Sequence, residues 1–144
     1  MTQLITEGPA YHIHSKYVEI YDRALRAFPS LTYMPELEIQ NSKLRSTLGQ
    51  VVKAPKKPLV VQLNKKALYS PTLENIICTD VITHEMAHVV AYEVFHHWGH
   101  GSMWQTVLKQ LNAGSTTILK VTPELVKQVN SELAVHGISP WIKL

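Results

Sequence analysis

The amino-acid sequence predicts an α+β fold, because helical apolar periodicity surrounds a short region in which apolar and polar residues alternate as they do in strands. The chain has 144 residues, of which 45% are apolar and 17% are charged. This length and composition suit one globular domain with a sizeable core. We therefore expect a single domain over residues 1–144, with helices packed around one small sheet.

The first predicted helix spans residues 10–28. Apolar side chains such as Ile13, Tyr17 and Tyr21 recur there at helical spacing, with charged residues between them. Pro29 ends the element, because proline lacks the backbone N–H that a helix interior requires. The aromatic stripe is most simply a face that packs on the core.

Three short strands are predicted next. The first lies around Leu37 and Ile39, the second over residues 48–52 and the third over residues 59–63. Residues 54–58 form a loop between the last two strands, since two prolines there would interrupt a central ladder. We expect these strands to form a small antiparallel sheet.

A long helix over residues 72–95 follows the strands. Ser70 and Pro71 suit the N-cap and the first helical position. Apolar residues occupy almost every side of this helix, which is typical of a helix buried in the core. Its polar residues are therefore the ones that need an explanation.

Two shorter helices complete the predicted fold. One begins near His100, after a break in the chain, and ends near Asn112. The other starts at Pro123 and ends at Gly137. It belongs to a C-terminal helical tail, residues 115–144, for which we predict a packing role.

The long helix carries two histidines and a glutamate in the order HEMAH. His84 and His88 are four residues apart and therefore lie on one face, close enough to share a zinc ion. Glu85 lies beside that face, where a carboxylate can accept a proton from a water that the metal acidifies. Burying these groups without partners costs free energy, and a metal would satisfy all three. The alternative is a pair of core histidines bonded to the backbone.

A catalytic zinc ion usually has three protein ligands and one open position, so a third ligand must come from elsewhere in the chain. The candidates are Glu93, His96, His97 and His100. Glu93 is expected to face away from His88 on the helix. His96 and His97 lie at its fraying end. His100 opens the next helix, where a turn of the chain can bring it to the metal.

These residues resemble a known family, the SprT family of zinc metallopeptidases, which includes bacterial SprT proteins and the eukaryotic protease Spartan. The resemblance rests on His84–His88 (HEMAH), followed by His100–Trp104 (HGSMW). A preceding strand, Leu59–Asn64, also ends in the Leu-Asn pair of the family. The resemblance covers residues 30–112.

The resemblance implies a small gluzincin-like fold in which His84, His88 and His100 bind one zinc ion and Glu85 is the general base. It implies an enzyme that hydrolyses protein substrates. Spartan further implies DNA-stimulated cleavage of proteins trapped on DNA. Many members carry a further zinc-binding module after the protease domain, and we expect none here because the chain has one cysteine.

Basic residues are concentrated in one segment of this chain, whose formal net charge is +3. Residues 43–66 contain no acidic residue. Their basic residues are Lys43, Arg45, Lys53, Lys56, Lys57, Lys65 and Lys66. Such a segment forms either a solvated face or a surface for a polyanion. With the family resemblance, we predict that it binds DNA, especially single-stranded DNA.

Three further residues are candidates for supporting roles near the predicted metal. Tyr92 lies one turn beyond His88 and is either a core tyrosine or a substrate contact. Asp80 lies one turn before His84 and is either a surface acid or an acceptor for a ligand imidazole. Trp104 is expected to pack beneath the histidine that opens its helix.

The sequence also constrains the location of the protein. One cysteine, Cys78, excludes an intramolecular disulfide framework. No secretory signal is visible at residues 1–10. No apolar stretch approaches the ~20 residues that a membrane span needs. We expect a cytoplasmic protein, with nucleoid or nuclear association if it binds DNA.

The predicted function is that of a zinc metalloendopeptidase acting on proteins bound or crosslinked to DNA. One alternative is a zinc-stabilised DNA-binding or adaptor module without proteolysis. Glu85 argues against it, because a structural site needs no such base and usually closes the fourth position. The other alternative is a specialised peptidase unrelated to DNA.

Overall fold

The structure is a computed structural model that describes residues 8–40, 44, 46–111 and 121–143. The predicted α+β class is confirmed, since helices pack around one three-stranded sheet. The elements in chain order are α1 (Pro9–Ala27), β1 (Glu36–Gln40), β2 (Gly49–Val52), β3 (Val60–Asn64), α2 (Pro71–Ile76), α3 (Ile82–Phe95), α4 (Ser102–Leu111) and α5 (Pro123–Val135). None of the helices in these described parts has the length and apolar character that crossing a bilayer requires.

The sheet is mixed, so the prediction of an antiparallel sheet was wrong. Strand β3 lies in the centre, β2 pairs with it antiparallel, and β1 pairs with it parallel. The chain passes from β1 to the far edge before it returns as β3 between the two. Alternation of apolar residues reports which face of a strand is buried but not the direction of its neighbour. The gluzincin-like arrangement stays a prediction.

Helix α1 supplies one wall of the core. Its predicted buried face is confirmed, because Ile13, Tyr17 and Tyr21 are all buried. The hydroxyl group of Tyr17 donates a hydrogen bond to the carbonyl oxygen of Pro35 at 2.7 Å, which fixes the loop before β1. Burial of an apolar side chain such as that of Ile13 stabilises the fold by about 2 kcal/mol.

Helices α2 and α3 form one continuous helical run, as predicted, joined by a π-helical turn at Ile77–Val81. Ser70 caps the run, because its Oγ accepts the backbone N–H of Leu73 at 3.1 Å. Helix α3 is buried on most sides and packs against α1, α4 and β2. The histidine pair therefore projects from the central helix of the molecule, directly after a π turn of the kind often found near functional sites.

The described part of the C-terminal tail packs on the beginning of this helical run. Glu132 of α5 accepts hydrogen bonds from Ser70 Oγ at 2.6 Å and from the backbone N–H and hydroxyl of Thr72 at 3.0 and 2.7 Å. Further along, the buried indole of Trp141 donates to the carbonyl oxygen of Ser46 at 2.8 Å. The tail therefore helps to hold the central helix in place.

Candidate metal centre and active site

The three histidines expected to bind zinc converge in the structure. His84 and His88 project from α3, and His100 comes from the turn before α4. The Nε2 atom of His100 lies 3.0 Å from Nε2 of His88 and 3.2 Å from Nε2 of His84. Each residue offers one ligand atom, and these atoms all lie within 4.8 Å of one another.

The turn between α3 and α4 brings His100 to the other two histidines. Helix α3 ends where His96 adopts a left-handed φ of 54°. The backbone N–H groups of His96 and His97 donate back into the last turn of α3 at 3.0 and 2.9 Å. Gly99, with a φ of 117°, then takes a conformation that residues with a Cβ rarely adopt. The chain reverses there, and α4 packs against α3.

The other three candidates for the third ligand lie elsewhere. Glu93 accepts a hydrogen bond from the hydroxyl of Tyr33 at 2.7 Å. His96 is exposed and lines a separate cleft. His97 packs against Gly101, and its buried Nε2 has no hydrogen-bond partner among the described residues. The geometry therefore selects the histidine that the family resemblance implies.

Trp104 forms a floor under the three imidazoles, where it was expected to pack. Its ring centroid lies 4.7 Å from that of His84, 5.3 Å from that of His88 and 4.8 Å from that of His100. Its indole N–H donates to the backbone carbonyl oxygen of His84 at 3.3 Å. A buried ring in contact with all three imidazoles restricts their rotation, so the donor atoms are held together in advance.

The donor set fits a zinc ion. Burial, together with the neighbouring imidazoles, lowers the pKa of His84 and of His88 to about 4, so both are neutral at pH 7. A neutral imidazole offers the lone pair that a metal needs. Nitrogens that share a tetrahedral zinc ion at the usual bond length would lie about 3.4 Å apart. The observed spacings of 3.0 and 3.2 Å are close to that distance.

Glu85, the predicted general base, lies beside this cluster. Its Oε1 atom is 3.8 Å from Nε2 of His84, and the residue is 5% exposed. Burial raises the pKa of Glu85 to about 7. Within the described residues its carboxylate accepts no hydrogen bond. No structural partner there accounts for its burial, and a group with this pKa is suited to exchange protons near neutral pH.

Tyr92 packs partly against the core and partly against Trp98, with ring centroids 5.6 Å apart. The Nζ atom of Lys53 lies 4.9 Å from the Tyr92 centroid and 5.3 Å from the Trp98 centroid, within cation–π range. Trp98 in turn lies 6.0 Å from the ring of His88. Sequence reasoning missed Trp98, which connects the metal centre to the β2–β3 loop.

Asp80 lies in the π-helical turn, one helical turn before His84. It accepts a hydrogen bond from the hydroxyl of Thr79 at 3.3 Å, and within the described residues it bonds to no imidazole. Its half-buried position on the helix fits the alternative of a surface acid.

The described members of the basic segment fall into two separate groups. Lys53, Lys56 and Lys57 are exposed on the β2–β3 loop, at the beginning of β3. Lys65 and Lys66 follow the other end of that strand. A five-residue strand separates the two groups, which is about 16 Å of extended chain.

Lys66 is also engaged with the C-terminal tail. Its Nζ atom donates to Ser139 Oγ at 3.3 Å and to the carbonyl oxygen of Pro140 at 2.7 Å. Burial lowers the pKa of Lys66 below its ordinary value. Lys43 and Arg45, the remaining members of the predicted surface, lie outside the described residues.

A cleft of about 730 Å³ opens between the β2–β3 loop and the last turn of α3. It is lined by Tyr33, Lys53, Tyr92, Glu93 and His96 together with the rest of the loop. Sequence reasoning missed this cleft because its walls are far apart in the chain. Through Tyr92 it adjoins the part of α3 that carries His88, one of the candidate metal ligands.

The comparison with known families identifies the family of the chain. The SprT-like family matches residues 12–127, well over half of the sequence. The protein therefore belongs to the SprT-like family, as the two-part histidine motif indicated. The match includes α1 and the beginning of α5, so it extends beyond the residues 30–112 that carry the resemblance. Neither the curated proteins nor the solved structures contain a significant match.

Proposed function

We propose that this protein is a zinc-dependent metalloendopeptidase. The observation that carries the proposal is the convergence of three imidazole nitrogens beside a buried carboxylate. Membership of the SprT-like family supports it. His84, His88 and His100 would hold the zinc ion, and a site with three protein ligands keeps a fourth position open.

A bound zinc ion would acidify a water molecule and polarise the carbonyl group of a peptide bond. Glu85 is placed to accept the proton of the attacking water, because its carboxylate lies beside a ligand imidazole. The same carboxyl group then donates that proton to the leaving amine nitrogen. Burial favours the protonated form of Glu85 between these two events, since it raises the pKa of the group.

The alternative is a zinc-stabilised binding module without proteolysis. Structural zinc sites usually have four protein ligands. Within the described residues, only three ligand atoms converge at this site. A structural site also has no use for Glu85, which is buried and accepts no hydrogen bond from the described residues, an arrangement that costs free energy. Glu85 is thus the residue that favours an enzyme.

Cleavage of a basic protein such as a histone tests the proposal. Zinc-loaded wild type and Glu85→Gln are compared, with the zinc content measured on the same samples. Cleavage by the wild type alone, at equal zinc content, would support the proposed mechanism. Equal cleavage by both would refute the role of Glu85. If both bind zinc and neither cleaves, the binding module becomes the better interpretation.

We also propose that the substrates are DNA-bound proteins and that the β2–β3 loop contacts the DNA. Lys53, Lys56 and Lys57 are exposed there, and no described carboxylate forms an ion pair with them. Their charge is therefore available to phosphates. Tyr92 and Trp98 beside Lys53 offer rings on which the bases of single-stranded DNA can stack. A cytoplasmic location belongs to the same proposal.

The salt dependence of DNA binding tests this second proposal. Replacing Lys53, Lys56 and Lys57 by Gln should weaken binding of single-stranded DNA and lower its salt slope by about two, at ~0.7 per phosphate contact. A control variant in which three other exposed lysines are replaced by Gln has the same net charge as the triple variant of the loop. Those lysines are Lys109, Lys127 and Lys143, which lie outside the basic segment. Equal weakening in the control would show that net charge alone is responsible. Undetectable DNA binding at low salt would favour a peptidase unrelated to DNA.

A further inference from the structure

Strand β2 and the central helix come unusually close together at Gly49. Gly49 begins the edge strand β2 and pairs with Leu63 of β3. A Cβ atom on Gly49 would lie 2.7 Å from Cγ1 of Val81, 3.1 Å from Cδ2 of Leu63 and 3.3 Å from Cγ of Glu85. Carbon atoms that are not bonded normally lie about 3.5–4.0 Å apart. A side chain at this position would therefore displace its neighbours.

The close approach places the strand directly against the predicted general base. Val81 and Glu85 are four residues apart, so they share the face of the helical run that rests on β2. Only a residue without a side chain allows the helix to come this near. Glu85 Cγ then packs over the backbone of Gly49, while the Glu85 carboxylate lies 3.8 Å from Nε2 of His84.

The backbone conformation at Gly49 does not itself require glycine. Its φ lies outside the left-handed region, and the residue is part of a regular strand. Alanine would adopt this conformation without backbone strain. Glycine is needed here only for the space that it leaves.

We propose that Gly49 is a positioning residue that sets how closely Glu85 approaches the three histidines. A methyl group added at Gly49 would overlap Val81 and press against both Leu63 and Glu85. Leu63 is fully buried in the central strand, so it has no space into which to move. Val81 and Glu85 would therefore have to give way, Glu85 by a few tenths of an ångström. The kinetic consequence rests on the proposed function, whereas the displacement itself does not.

Gly49→Ala tests the proposal in the zinc-bound protein. We expect kcat for a protein substrate to fall about tenfold or more, because small displacements of a reacting group are costly. KM and the zinc affinity should stay close to those of the wild type, while the thermal midpoint falls because an overpacked side chain destabilises the fold. A loss of zinc affinity as large as the loss in kcat would instead give Gly49 a purely structural role and overturn the proposal.

Gln50→Ala is the matched control. Gln50 is the next residue in β2, and its Nε2 donates to Oε1 of Gln62 at 2.6 Å on the opposite face of the sheet. The control thus perturbs the same strand without a contact to Glu85, and its kcat should stay unchanged. The double variant Gly49→Ala/Val81→Ala removes the closest atom of the clash. We expect it to recover several-fold in kcat over Gly49→Ala, with Val81→Ala alone as the reference.

A crystal structure of the zinc-bound Gly49→Ala variant measures the displacement without any catalysis. A shift of the Glu85 carboxylate relative to the three Nε2 atoms supports the proposal, and an unmoved carboxylate overturns it. If the variant does not fold, the double variant provides the same comparison. If the wild type cleaves no protein, the proposed function fails, while the crystal structures still decide the role of Gly49.

Discussion

Glu85 lies near the middle of the central helical run, whereas Glu132 contacts the beginning of that run, and the environments of the two carboxylates differ in one decisive respect. Glu85 accepts no hydrogen bond from the described residues, and burial raises its pKa to about 7. Burial would also raise the pKa of Glu132, but hydrogen bonds from Ser70, Thr72 and Gln128 outweigh this and lower it to about 2. Glu132 therefore accepts several hydrogen bonds, whereas Glu85 accepts none from the part of the chain that the structure describes.

The two carboxylates serve different purposes along one helical run, since Glu132 stabilises the fold and Glu85 belongs to the candidate site. Glu132 accepts the backbone N–H of Thr72, one of the donors that the first turn of a helix leaves without a partner. That contact stabilises the fold. Near the middle of the run, the imidazole nitrogens of the histidine cluster lie 3.0 and 3.2 Å apart, beside a buried carboxylate that accepts no hydrogen bond from the described residues. That arrangement costs stability until a ligand occupies it.

The largest effect that would test this comparison is expected at the third ligand. His100→Ala removes one of three donors, so zinc affinity should fall by more than the 10–100-fold typical of losing an outer partner of a ligand. Cleavage should be abolished. The thermal midpoint of the metal-free protein should hardly change, because His100 is exposed. Metal-competition titration measures the affinity. Retention of one zinc per chain with activity would identify His96 or His97 as the ligand.

The next effect concerns Glu85. Glu85→Gln should lower kcat/KM by about 10²–10⁴-fold, the usual contribution of a general base. The raised pKa of Glu85 means that its ionisation destabilises the metal-free fold as the pH rises from about 4 through about 7. Glutamine does not ionise, so at pH 8 the metal-free variant should be more stable than the wild type by about 3 kcal/mol.

Urea unfolding of both metal-free proteins at pH 4 and pH 8 measures this difference in stability. The greater stability of Glu85→Gln over the wild type should be present at pH 8 and absent at pH 4. Glu93→Gln, on the same helix but bonded to Tyr33, is the matched control and should show no such gain. Identical pH dependence of Glu85→Gln and the wild type would contradict the view that Glu85 is buried without a partner.

Glu132→Gln should have the opposite effect on stability. The lowered pKa of Glu132 gives the fold stability that is present above its ordinary pKa and lost as the pH falls toward about 2. The variant should therefore be less stable than the wild type at pH 7, by about 1 kcal/mol because the carboxylate is partly exposed. The two proteins should converge near pH 2. Urea unfolding measures the stability, and zinc titration should give equal affinities. A large loss of zinc affinity would show that the contact of Glu132 with the beginning of the run is coupled to the histidine cluster.

The smallest effect is expected at Trp104. Trp104→Phe keeps an aromatic floor under the imidazoles but removes the hydrogen bond to the carbonyl oxygen of His84. Zinc affinity should fall about tenfold, since groups that orient ligands contribute on that scale. Trp104→Leu, which also removes the aromatic ring, should lose more. Unchanged affinity in Trp104→Phe would show that ring contacts alone orient the histidines.

Much of the local structure could be predicted because helical periodicity is a property of neighbouring residues. The buried face of α1, the cap at Ser70 and the single long helical run are all found in the structure. The parallel pairing of β1 could not be predicted, since alternation gives the buried face of a strand and not its direction. The π turn within the run was not signalled by the sequence either.

The candidate site, too, could be predicted from the sequence only in part. The shared face of His84 and His88, with Glu85 beside it, follows from a spacing of four residues on any helix. The choice of His100 over its neighbours needed the family resemblance, because spacing alone left several candidates. The structure brings that histidine to the cluster through a turn that Gly99 makes possible. The basic segment is continuous in sequence, but strand β3 separates its described members into two groups.

The sequence by itself determined the helices, the histidine pair and the family of this protein, because these depend on residues that are close in the chain or on a fixed motif. The tertiary structure determined how the helices and strands pack against one another. It placed Gly49 of an edge strand against Glu85, and it made Glu132 of the tail a cap for the central helix. Such contacts join residues 36 to 60 positions apart, and they depend on the packing of whole elements, which no local pattern encodes.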